Sequence, residues 1–222
     1  MLTDAIINVN GDSVQALDIM LLMTVITLLP TLVVMMTSFT RYVVSLSFLR
    51  TAMGTQQTPP NLVLVGMALI LTLFTMTPTI NAIKESAYDP YKEGRITQEE
   101  FFERVQEPLK EYMLNQMQIS SMELYCNMTD TPIPQSQDEA RELPMTVIMP
   151  AYVTSELKHA FIIGFLLYIP FLLIDIIVSS TLMSMGMVML PPSMISTPFK
   201  ILLFILLDGW QLLFSTLVGM IR

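Results

Sequence analysis

The sequence predicts an all-α, polytopic membrane-class protein, and three observations carry that prediction. Hydrophobic residues make up 53% of the chain and charged residues only 14%, against roughly 25% charged in an ordinary soluble domain. The apolar residues fall into about four long segments. The charge collects between them: residues 84–142 hold six basic and thirteen acidic side chains, a net of −7 out of −8 for the whole chain. So acidic a chain lacks the basic face that nucleic-acid binding requires, which leaves proteins or lipid as partners. Cys126 is the single cysteine and His159 the single histidine, so an intramolecular disulfide and a histidine-rich metal site are both excluded.

Residues 1–18 form a short polar N-terminal segment with Asp4, Asp12 and Asp18; the first basic residue is Arg41, so no basic n-region of a secretory signal is visible. Residues 19–83 read as a first apolar helical pair. The uncharged run from Ile19 to Thr40 suits one crossing, which needs about 20 residues, and Pro30 is expected to kink it. Arg41 to Gly54 is a mixed helix with a basic residue near each end, and charges so close to a span tend to stay cytoplasmic. Pro59 and Pro60 break the chain, since the residue before a proline is pushed out of the α region. Asn61 to Ile83 is the second uncharged run, with Pro78 predicting a local break near its far end.

Residues 84–149 read as an acidic, soluble, helical region. Thr97 with Glu100 three residues later is a capping-box pattern, and Phe101, Val105, Leu109, Tyr112 and Met113 then share one helical face. Pro108 should bend that helix, and the prolines of 127–144 mark a loop. Four apolar segments would put both termini on one side, and Arg41 and Arg50 in the first connection would put the acidic region outside the cytoplasm.

Residues 150–222 read as a second apolar helical pair. Ala160 to Leu190 is 31 residues with one charge, Asp175; as a straight helix it would run about 46 Å, beyond a hydrocarbon core of about 30 Å. A kink, a hairpin or a path partly outside lipid is therefore required, with Pro170 the expected first break and the stretch Leu182 to Pro192 the second. That stretch places Met183, Met185, Met187 and Met189 around Gly186 and ahead of Pro191 and Pro192. Methionine fills irregular apolar gaps, so the stretch is either an ordinary turn with flexible filler or a deformable apolar surface.

Few residues could carry chemistry. No Gly-x-Ser-x-Gly elbow, Walker loop or His-Glu-x-x-His pattern occurs. Asp175 and Asp208 are the two intramembrane carboxylates; a membrane aspartyl enzyme would need them facing one another, and neither lies in a glycine-rich motif. The same pair could instead line a proton or ion path in a secondary transporter or channel. Charges in apolar segments usually pair with one another or face a bundle interior, so Glu156 before the third segment and Lys200 at the start of the fourth are candidates for an ion pair, within one subunit or between two. Otherwise they are interfacial side chains reaching for headgroups.

Several stretches together resemble the FliP/SctR proteins of the type III protein-export gate, the flagellar FliP branch most closely. They are residues 49–61 (Leu49 to Asn61), 150–157 (Pro150 to Leu157), 169–175 (Ile169 to Asp175), 185–192 (Met185 to Pro192) and 198–210 (Pro198 to Trp210), in the family's order. The resemblance implies a non-enzymatic, cofactor-free subunit in the bacterial inner membrane at the flagellar basal body. It implies a pentameric helical ring joined by FliQ-like and FliR-like subunits, with FlhB and FlhA as neighbours, through which unfolded substrates pass. It also implies a methionine-rich loop that closes the pore as a gasket, carried here by Met187, Val188 and Met189, with Glu156 and Lys200 as the charged motif positions. Val188 departs from an all-methionine seal, and a β-branched side chain is stiffer at χ1.

Overall fold

The computed structural model describes residues 6–9, 12–187 and 189–221. A short antiparallel hairpin comes first, β1 (Ile6–Val9) and β2 (Asp12–Gln15), with Ile6 opposite Gln15 and Val9 opposite Asp12. All regular structure described beyond it is helical. Helix α1 (Ala16–Met35) runs through Pro30, and α2 (Phe39–Met53) leaves its second half at 67°. Gly54 ends α2 in the left-handed region, φ +74°, which costs glycine no Cβ clash.

Helix α3 (Asn61–Ile83) starts directly after Pro60. The break expected at Pro78 does not occur: the helix continues through a wider turn, Lys84–Tyr88, into α4 (Asp89–Lys92). Helix α5 (Gln98–Gln116) opens on the expected capping box, with the Glu100 amide donating to the Thr97 hydroxyl and the Thr97 amide donating to the Glu100 carboxylate. It is followed by α6 (Ile119–Met128) and α7 (Gln137–Glu142).

The spine is α8 (Met145–Ser184), 40 residues and about 60 Å long. Pro150 and Pro170 lie inside it, so Pro170 is not the break the sequence predicts. A proline removes one backbone donor and crowds one carbonyl, whereas ending a helix in an apolar segment strands several polar groups with no water to receive them. Bending is the cheaper outcome. After it come α9 (Pro192–Leu206) and α10 (Gly209–Gly219), bent by 66° at Asp208.

Two helices, Asn61–Lys92 and Met145–Ser184, are long and apolar enough to cross a membrane, and the bent pairs raise the number to four if each counts as one span. Only 28% and 17% of their apolar windows are buried, so most of these surfaces must be covered by lipid or by other subunits.

Helices α2, α5, α6 and α9 all pack on α8, and α3 packs on α2 and α5. Tyr42, Leu46, Leu49 and Ala52 of α2 are buried with Val147, Ile148, Ala151 and Tyr152 of α8. Cys126 of α6 is fully buried and serves as a small apolar packing residue. Close approach of α2 and α8 depends on Gly164, where an added Cβ would lie 2.4 Å from Phe48 Cδ2 and 2.9 Å from its Cβ. That Phe48 Cβ cannot swing away, so the helices would have to part. Gly164→Ala is expected to cost about 1–3 kcal/mol, as overpacked cores do, and Phe48→Leu in the same chain should recover part of it; unfolding of the detergent-solubilised chain measures both.

Candidate functional site

Where α2 crosses α8, both helices turn polar faces inward. Ser38, Arg41, Tyr42 and Ser45 recur at helical spacing on α2, and Tyr152, Ser155, Glu156 and His159 do so on α8. Glu156 is 0% exposed and Arg41 only 2%. The Arg41 Nε donates to Glu156 Oε2 at 2.9 Å while its second guanidinium nitrogen holds Oε1, a bidentate pair between residues 115 apart in sequence. That nitrogen also contacts Gln116 Oε1 at 3.3 Å and His159 Nδ1 at 3.1 Å. The other ring nitrogen of His159 lies 2.9 Å from Gln118 Nε2, and the Gln118 amide donates to Ser155 Oγ at 3.0 Å. The connection between α5 and α6 is thereby bonded onto α8.

A second pair sits further along α8. Lys200 of α9 is 4% exposed; its Nζ donates to Asp175 Oδ2 at 2.7 Å and to the Ala52 carbonyl at 3.1 Å, while Ser196 Oγ donates to Asp175 Oδ1 at 2.6 Å. The ammonium thus meets a carboxylate and the carbonyl end of α2, where a helix dipole favours positive charge. Within the chain, the expected ion pair between Glu156 and Lys200 does not form. Each is buried against a different partner of the same chain. Arg41 is the buried counter-ion of Glu156.

Asp175 and Asp208 are not brought together. Asp208 is exposed, adopts a left-handed backbone (φ +49°) at the bend between α9 and α10, and shares no cavity with Asp175 among the described residues. The two charge pairs thus hold α2, α8 and α9 together.

The methionine stretch is shaped by one glycine. Helix α8 closes with the Gly186 amide donating to the Met183 carbonyl at 3.0 Å and the Met187 amide to the Leu182 carbonyl at 3.0 Å, with Gly186 at φ +77°. These two bonds define a Schellman cap. The chain leaves the helix there, and α9 restarts at Pro192, its N1 position, where a missing N–H costs nothing. Met183 and Met185 are exposed and Met189 is 97% exposed, while Met187 is half-buried. Val188 lies outside the described residues.

A family model for the FliP family matches residues 22–217. The chain belongs to the FliP family. The flagellar biosynthetic protein FliP of Aquifex aeolicus is 46% identical over 94% of this chain and 87% of its own length. That of Bacillus subtilis is 46% identical over 92% and 91%, and that of Pectobacterium carotovorum 48% over 92% and 77%.

In this FliP-family chain the sequence had already pointed to Glu156, Asp175, Lys200 and the methionines. It had not pointed to Arg41 as a buried partner, nor to Tyr42, Tyr112, Tyr152, Gln116 or Gln118. The available signal was the polar residues recurring at i, i+3, i+4 and i+7 on helices otherwise apolar enough to hide them.

Stranding one member of a buried pair costs about 3–5 kcal/mol, while replacing both with apolar side chains is often neutral. Arg41→Met or Glu156→Leu alone should therefore lower stability by about that amount, and the double variant should recover most of the loss. Arg141→Ala, which breaks an exposed contact to Glu111 at 3.3 Å, should cost no more than about 1 kcal/mol. Denaturant unfolding of each variant in detergent reads the ranking.

Proposed function

We propose that this chain is a non-enzymatic membrane subunit of the flagellar protein-export apparatus, and that copies of it line the pore through which unfolded flagellar proteins leave the cell. Membership of the FliP family supports the apparatus, since the relatives are flagellar biosynthetic proteins. The observation that carries the pore reading is the methionine loop, held out of α8 by the Schellman cap at Gly186 with Met183, Met185 and Met189 exposed.

A resting gate must exclude small ions and an active one must admit a chain about 10 Å wide, the diameter of one helix. Thioethers from several copies can fill a narrow hole without a fixed fit, and an apolar constriction stops hydrated ions by dewetting. Met187, Val188 and Met189 are the residues of this seal.

The uncovered faces of α3 and α8 support assembly. In the proposed arrangement five copies form a ring with FliQ-like and FliR-like subunits, beside FlhB and FlhA, in the inner membrane at the flagellar basal body, and the acidic 84–149 region faces away from the cytoplasm. Nothing in the geometry favours a transporter built on Asp175 and Asp208, because Asp175 is bound to Lys200 and Asp208 lies elsewhere.

Replacing Met187 and Met189 together with alanine, in cells carrying the whole apparatus, is expected to raise ion conductance across the inner membrane while export of flagellar protein continues. Conductance equal to that of the unmodified gate would sink the seal.

A further inference from the structure

Three tyrosines converge behind the Arg41–Glu156 pair. Tyr42 of α2, Tyr112 of α5 and Tyr152 of α8 are all buried, and the rings of Tyr112 and Tyr152 meet edge to face with centroids 6.0 Å apart. The Tyr112 hydroxyl lies beside those of Ser38 and Tyr152, and the Tyr42 hydroxyl beside those of Ser38 and Thr75. At hydrogen-bond distance and angle, the hydroxyl oxygens of Tyr42, Tyr112 and Tyr152 have no partner among the described residues, and nor does Ser45, one turn further along α2. Ser38 and Thr75 bond each other, Oγ to Oγ1, at 2.9 Å.

Such a concentration of orphaned hydroxyls runs against the rule that buried polar groups are bonded. Phenylalanine would fill the same space with no polar atom to satisfy, so three tyrosine hydroxyls here need a partner. The position of the cluster indicates which one. A cleft of about 880 Å³ opens between α3, the α5–α6 connection, α8 and the C-terminal residues, and Arg41, Thr75, Tyr112, Gln116, Gln118 and His159 stand in its wall. A bound water needs room for one molecule and two to four polar partners; the cleft supplies the room and meets the cluster at Thr75 and Tyr112, and the clustered hydroxyls supply the partners.

We propose that the end of the cleft meeting the cluster is a hydration site built into the fold, in which ordered water bridges the hydroxyls of Tyr42, Tyr112 and Tyr152 to one another and to the Ser38–Thr75 pair. Water there also lowers the desolvation cost of the neighbouring Arg41–Glu156 pair, because fixed dipoles stand where bulk solvent has been removed. The site depends on neither the pore nor the seal.

The sign of a conservative substitution decides the matter in the purified full-length chain. If water bridges the hydroxyls, Tyr42→Phe, Tyr112→Phe and Tyr152→Phe each lower the melting midpoint, by about 2–4 °C for a chain of this size. Pairs of them should lose less than the sum, since they share the same waters. A midpoint unchanged or raised in all three means that the hydroxyls bond nothing, and the proposal fails. The unmodified protein gives an independent reading: density that resolves solvent should show a peak within about 3 Å of two or more of the three oxygens. Hydroxyls paired directly with one another and no solvent peak between them would overturn the proposal even if the phenylalanine variants melt early.

Discussion

The constraint that orders the rest of the structure is that Arg41 and Glu156, both buried, must meet each other. A carboxylate with no exposed surface stays ionised only if a positive group meets it with good geometry, since the desolvation of either ion alone costs several kcal/mol. The guanidinium is suited to this because its planar fork matches both carboxylate oxygens at once. In satisfying that demand, residues 115 apart are brought together, which fixes the rotation of α2 against α8. The remaining Arg41 contact to Gln116, together with Gln118 on His159 and Ser155, then fixes where the acidic helices leave the apolar body.

A good deal of this was legible in the residues, and the failures have a common cause. The apolar run from Asn61 to Ile83, the capping box at Thr97 and the break after Gly186 follow from local chemistry, and the structure has all three. Pro78 and Pro170 misled because proline was read by its rule for water, where a freed carbonyl finds a partner and a helix can stop cheaply; in an apolar segment it is the stop that is expensive. The partner of Arg41 lies in another segment, which sequence order does not show. Glu156 and Lys200 were correctly singled out as charges needing partners, yet sequence order cannot say which counter-ion a helix will bring. Arg41 and Asp175 are the answers, and both came from contacts distant along the chain.

The two ion pairs also divide α8 into parts with different freedom. Its first half is held by the polar seam at residues 152–159, and Asp175 ties its second half to Lys200 and Ser196 of α9. Beyond Asp175 the rest of α8 carries no charge, and the chain runs about ten residues, some 15 Å as a helix, to the exposed methionines. The turn between α8 and α9 is therefore anchored on both sides, through Asp175 on one and Ser196 with Lys200 on the other, while its tip is bounded only by a glycine and a proline.

That combination suits the seal proposed above. Anchors without a free tip would give a rigid plug unable to admit a chain, and a free tip without anchors would place its side chains anywhere. Methionine at the tip keeps three rotatable bonds and a polarizable sulfur, so adaptation can occur in side chains while the backbone ends stay fixed. The seam near Glu156 and the loop near Met189 thus stand at opposite extremes of packing, one fixed by paired charges and the other by almost nothing, and the length of α8 keeps them apart.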